Sequence, residues 1–131
     1  MIATHDDLDR IVDMGALFHA HSPWREVPYD REAVRTFAAN TIDNGIIFVS
    51  DIGMCGGMVH PLYFSPETRI GIEFFWWKGS ELRTAFEDWC HAQGAYGVQF
   101  SALADEHLPA VARLYRMAGF EPAETAFVKR F

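Results

Sequence analysis

Apolar positions along the chain follow two spacings, and each change of spacing marks an element. Leu8, Ile11, Val12, Gly15 and Phe18 recur at i, i+3, i+4, i+7 and i+10, which is one face of a helix, with Asp6 or Asp7 as its cap. Met1 to Thr4 precede it as a short edge strand. Ser22, Pro23 and Pro28 break the pattern, so His19 to Pro28 reads as a loop, with Trp24 inside it and Tyr29 just beyond. Asp30 then caps a second helix, carried by Val34, Phe37, Ala38 and Ile42 and closed by Asn44-Gly45.

From Ile46 the spacing becomes that of extended chain. Ile46 to Ser50 is a β-branched and aromatic run, Asp51-Ile52-Gly53 a tight turn, and Met54 to Tyr63 a second strand. Gly56 and Gly57 inside that strand predict a bulge or a close backbone approach. Ser65-Pro66-Glu67 turns the chain into a third strand, Thr68 to Trp77, which completes an antiparallel meander. A helix opens at Gly79 or Ser80, buries Leu82, Ala85, Phe86, Trp89 and Gln93, and stops at Gly94. The extended run Tyr96 to Ala102 follows a crossover helix and is therefore expected to pair in parallel with an earlier strand. A last helix begins near Asp105 to Pro109 and carries Leu108, Val111, Ala112 and Tyr115, ending at Gly119. Phe120 to Phe131 reads as one or two closing strands. The order β-α-α-β-β-β-α-β-α-β predicts an α/β fold, a mixed, mostly antiparallel central sheet with helices on both faces.

Composition narrows the function classes. The chain has 131 residues, half of them apolar, which fits one domain spanning residues 1–131 with a substantial core. Eleven Lys and Arg against 18 Asp and Glu leave a net charge of −7, which argues against a nucleic-acid partner. No apolar run is long enough to span a bilayer, and the polar start MIATHDDLDR is unlike a signal peptide, so no membrane role and a cytoplasmic location are expected. Cys55 and Cys90 lack CxxC spacing and read as buried thiols.

Candidate chemistry concentrates in IGIEFFWWKGSEL, Ile70 to Leu82, where an apolar strand runs through a short glycine turn into a helix. The first turn of a helix offers orphan N–H donors and the positive end of the dipole, a setting for an anion. Glu73 is a carboxylate in a strand of Ile, Phe and Trp; burial there would raise its pKa toward neutrality, as a base for an amine requires. Pairing with an arginine such as Arg69, or facing a wet cleft, is the alternative.

The string ARLYRMAGFEP, Ala112 to Pro122, closely resembles the LYxxxGF ending found in the GNAT superfamily of acyl-CoA-dependent N-acyltransferases. The element order above is also the GNAT order, so the resemblance covers nearly the whole chain. It implies that acetyl-CoA is held where the central parallel strands splay apart and that the acyl group passes directly to an amine of a small molecule or protein. It further implies Tyr115 as the acid for the departing thiolate and Glu73 as the base. Tyr115 equally reads as a core aromatic on a helix stripe. The donor would meet Phe75, Trp76 and Trp77 at the strand end and Lys78, Gly79 and Ser80 at the helix start. Trp24 and Tyr29 occupy the region that walls the acceptor site in such proteins.

The sequence departs from the family at the donor's diphosphate. Where GNAT proteins carry V-x-P-x-x-R/Q-x-x-G-x-G/A, this chain has only Trp77-Lys78-Gly79-Ser80, about half a dozen residues fewer. Leu108 also stands where many members have asparagine. Short members of this kind occur among phage and bacterial proteins, which implies the host cytoplasm if the chain is phage-encoded. The rival reading is a non-catalytic GNAT-like protein that binds or inhibits a protein partner; a homodimer through the sheet edge fits either. His19-Ala20-His21 lacks HExxH-type spacing, and no metal is expected.

Overall fold

The computed structural model describes residues 1–131, which form two compact units, Met1–Ser101 and Ala102–Phe131. In the first, a single 3-10 turn, His5–Asp7, leads into α1 (Leu8–Ala20) and α2 (Arg31–Asn44). The strands are β1 (Ile46–Val49), β2 (Met54–Leu62) and β3 (Ser65–Trp77), then α3 (Ser80–Ala92) and β4 (Gly97–Gln99). The sheet order is β1-β2-β3-β4; the first three strands are antiparallel and β4 is parallel to β3. This is the mixed, mostly antiparallel α/β sheet that the spacing predicts.

Alternation along β1 divides the core into two layers. Ile47 and Val49 pack with Leu8, Ile11, Met14 and Ala38 of the first two helices. Ile46 faces the other way, with Cys55 and with Leu82, Phe86 and Cys90 of α3. The helices thus cover opposite faces of one sheet. Asp30 caps α2 as expected, its carboxylate accepting from Ala33 N at 3.0 Å. The first helical turn is capped instead by Thr4, in a reciprocal pair with Asp7, because Thr4 is the last extended residue before the turn.

Three further expectations are corrected in this unit. Met1 to Thr4 form no strand but one isolated antiparallel bridge, Ile2 with Phe48, since the chain turns into the capped helix before a ladder can grow. The β2–β3 turn is Tyr63-Phe64, not Ser65-Pro66-Glu67; Ser65 already pairs with Leu62, and the Ser65 and Thr68 hydroxyls bond across the Pro66-Glu67 irregularity at 2.9 Å. In α3 the buried face is Leu82, Arg83, Phe86 and Cys90, and Gln93 lies exposed at the helix end.

A register shift does occur at Gly56/Gly57, as two strand glycines suggest, but the extra residue is on β3. Gly56 pairs with Phe75 and Gly57 with Glu73, so Phe74 has no partner. Glycine is required opposite the bulge. A Cβ at Gly57 would collide with the Ile72 carbonyl and lie 2.9 Å from the Phe86 ring. The bulge reverses alternation along β3. Phe74, 5.3 Å from the Phe37 ring, and Phe75 both face the α1–α2 layer, whereas Glu73 and Trp76 both face α3.

The second unit contains α4 (Leu108–Met117), with Pro109 in its first turn where a missing N–H costs nothing. Gly119 ends it with φ +91°. The expected closing strands at 120–131 are not formed. Pro122 removes a donor, and the unit holds no strand on which a ladder could be built.

Candidate functional site

The site is built where β3 and β4 part. They pair only through Ile70–Gly97, Gly71–Val98 and Ile72–Gln99, although β3 runs on to Trp77. Close packing beneath the paired part explains the glycine there: a Cβ at Gly71 would meet Cys90 Sγ. At the first residue past the ladder, Glu73 Oε2 accepts from Ser101 N–H at 3.2 Å and from Ser101 Oγ at 3.4 Å. The Glu73 side chain thus ties β3 to the segment that leaves β4, just past the point where the two backbones stop pairing.

The bulge sets Glu73 on the α3 face, which it shares with Cys55, Trp76, Phe86 and Phe100. The Phe100 ring meets Trp76 and Phe86 edge-on at 6.0 and 5.8 Å. Removal from water in this aromatic layer raises the Glu73 carboxyl to about 7, against the opposing pull of the two Ser101 donors. Glu73 makes no ion pair, and Arg69 donates instead to the Gln93 carbonyl. The environment is that of a carboxylate near its midpoint in neutral solution, able to accept and return a proton. The cysteines in the same layer are poor nucleophiles. Burial pushes Cys90 up to about 12 and Cys55 higher still, with the Glu73 charge adding to the latter.

The strand end places its aromatics on alternate layers. Trp77 packs edge-on to Phe18 at 5.7 Å, in the α1 layer with Phe75, while the Trp76 indole donates to the Gly79 carbonyl at 2.9 Å. Only Lys78 and Gly79 join β3 to α3. Lys78 has φ +58°, a left-handed conformation that costs a side-chain-bearing residue about 1–2 kcal/mol. Gly79 follows with φ +83°. The turn is held against Gly53, where a Cβ would lie 2.6 Å from the Lys78 carbonyl. Lys78 Nζ folds back over the Trp77 ring, 5.2 Å from its centroid, and Ser80 is exposed.

The donor named above fits this geometry at one end only. The parting strands and Glu73 suit the acyl end of a thioester. The start of α3 does not suit a diphosphate, because a Cβ at Gly79 would already lie 2.8 Å from Glu81 Oε1, which places a carboxylate over the first turn.

Tyr29 lies in the first unit, its hydroxyl donating to the Val12 carbonyl at 2.7 Å and seated on Gly15 of α1. His19 lies beside it, ring centroids 5.3 Å apart, with a buried Nε2 that has no hydrogen-bond partner. Trp24 is exposed in the loop that follows, its N–H bonded to Ser22 Oγ. Tyr115 lies on α4 in the second unit, 5.3 Å from Phe120 between ring centroids, and its carbonyl accepts from Phe120 N–H at 2.9 Å. No three His, Cys, Asp or Glu side chains converge on a point where a metal could be held. Residue types alone do not reveal Ser101 or Glu81. The doubled Phe74-Phe75, breaking strand alternation beside a glycine pair, is the one available signal for the bulge.

No family model matches the chain, and no curated protein matches it. Solved structures do. A probable acetyltransferase superposes with a TM-score of 0.72 at 14% identity, over 100% of this chain and 96% of the other. A transcriptional regulator from Bacillus halodurans C-125 gives 0.70 at 17% identity, over 100% and 97%. A predicted acetyltransferase from Clostridium acetobutylicum, solved with acetyl-CoA, gives 0.68 at 10% identity, over 99% and 94%. The fold is that of the GNAT acetyltransferases. Within the GNAT fold, this chain ends the β3–β4 pairing at Ile72–Gln99 and sets Glu73 at the next position. No helix of the chain is long and apolar enough to cross a membrane.

Proposed function

We propose that the chain is an N-acyltransferase that moves an acetyl group from an acyl thioester of the acetyl-CoA class to an amine of a small molecule or protein, with Glu73 as the base. The observation that carries this reading is a carboxylate with a midpoint of about 7 set at the point where two parallel strands separate. The thioester supplies an activated acyl carbon. Glu73 Oε takes the proton that the acceptor ammonium must lose before its nitrogen can attack, and the apolar α3 layer keeps that carboxylate basic enough to do so. Ser101 orients the receiving oxygen. The family resemblance assigns protonation of the departing thiolate to Tyr115, and Trp24 and Tyr29 to the acceptor.

Free-thiol release from acetyl-CoA and from S-acetylpantetheine, over a panel of primary amines and from below to above pH 7, tests the reading. The rate should rise through about pH 7, and Glu73→Gln should lower kcat by roughly 100-fold or more without unfolding the protein. Tyr115→Phe should slow turnover in the same assay. Absence of thiol release across the panel would overturn the reading. The two-residue join before α3 favours a second one, a GNAT-fold protein that engages a protein partner without transfer. Measurable transfer together with no stoichiometric partner in a pull-down would count against it.

A further inference from the structure

We infer that Glu81 closes the start of α3 to diphosphates, so that a thioester donor is held by its acyl and pantetheine portion and gains nothing from a nucleotide diphosphate. The first turn of a helix presents unpaired N–H groups at the positive end of its dipole and takes up an anion where one is offered. In α3 the chain supplies that anion itself. Ser80 N–H and Glu81 N–H open the helix, no side chain caps them through a hydrogen bond, and the Glu81 carboxylate lies over Gly79.

The other groups at the turn reinforce this closure. The nearest cation along the chain, Lys78, has its ammonium over the Trp77 ring, and the Trp76 indole N–H is bonded to the Gly79 carbonyl. Swinging Lys78 outward by a backbone change is opposed by Gly53, which packs against both the Lys78 and the Trp77 carbonyls. A phosphate oxygen within reach of the Gly79 or Ser80 amide would therefore stand beside the Glu81 carboxylate. A unit charge at such a distance, at a partly solvated surface, weakens anion binding by about tenfold.

The inference rests on the acyltransferase reading for its meaning to the donor, but its test reads binding alone. Inorganic pyrophosphate is titrated into the 15N-labelled full chain, and the Gly79 and Ser80 amide resonances are followed in the native protein, Glu81→Gln and Glu81→Lys. Glu81 is exposed, and the amide spectrum itself shows whether each variant is folded. The expected result is an affinity at these two amides at least about tenfold tighter in Glu81→Gln than in the native chain, and tighter again in Glu81→Lys. Equal responses in native and Glu81→Gln protein, including no response in either, would overturn the inference. So would a native affinity in the micromolar range. If acetyl transfer is absent while the tenfold gain is present, the acyltransferase reading fails and the closure of α3 stands.

Discussion

Two glutamates flank the same turn, and their surroundings give them opposite work. Glu73 lies before the turn, half-buried in an aromatic layer and bonded to Ser101 in the segment that leaves β4. Glu81 lies after it, exposed at the positive end of a helix and folded over a glycine. Desolvation holds the first close to neutrality, where a proton can come and go. The second stays in water beside the first turn of α3, where, as inferred above, it opposes a phosphate. Identical side chains are thus sorted by solvent access and by the backbone groups that they face, and a residue type by itself predicts neither role.

The contrast can be broken most severely from below. Phe86 is fully buried against the Gly57 side of the sheet, within 6 Å of the Trp89 and Phe100 rings. Phe86→Ala should cost about 3–5 kcal/mol in urea unfolding and let water reach Glu73, drawing its midpoint back toward that of an ordinary glutamate. A smaller effect follows from the charge on Glu73. Its folded pKa of about 7 exceeds the 4.5 of an ordinary glutamate, so below about pH 4.5 the group is neutral in both states and costs nothing. As pH rises from 4.5 to 7 the unfolded chain loses the proton first, and stability falls. Above 7 the full cost is present. Glu73→Gln should therefore be more stable than the native protein at pH 8 by roughly 2–3 kcal/mol, with the difference gone at pH 4, as thermal unfolding in matched buffers would show. The smallest effect is local. Ser101→Ala removes the 3.4 Å hydroxyl bond but keeps the backbone N–H bond, and should move the Glu73 midpoint upward by about half a pH unit at most, read from its side-chain 13C shift.

Periodicity carries far in this chain because most elements bury one face. Leu8, Ile11 and Val12 mark α1 and end up buried, and Asp30 caps α2 where a short acceptor precedes the stripe. The parallel pairing of β4 follows from α3 standing between two extended runs. The tail from Phe120 to Phe131 misleads because its apolar residues suggest strands, while strands also need a partner edge that spacing does not report. Glu73 stands out in the sequence as a charge among aromatics; its neighbour Ser101 does not, since the contact joins residues 28 apart. Glu81 looks like any acidic residue in a first helical turn. Only its approach to Gly79 distinguishes it.

The unpaired Phe74 makes β3 a strand with two phases. Before it, odd-numbered residues look toward α3; after it, even-numbered ones do. Loss of that one codon would remove the bulge and leave Glu73 and Trp76 as alternate residues of a regular strand, still on one layer, whereas Phe74 kept in a regular ladder would turn them to opposite layers. In a lineage carrying this fold, the strand therefore has a place where one residue can be gained or lost while the buried base and the indole after it keep their layer, because the unpaired position absorbs the change.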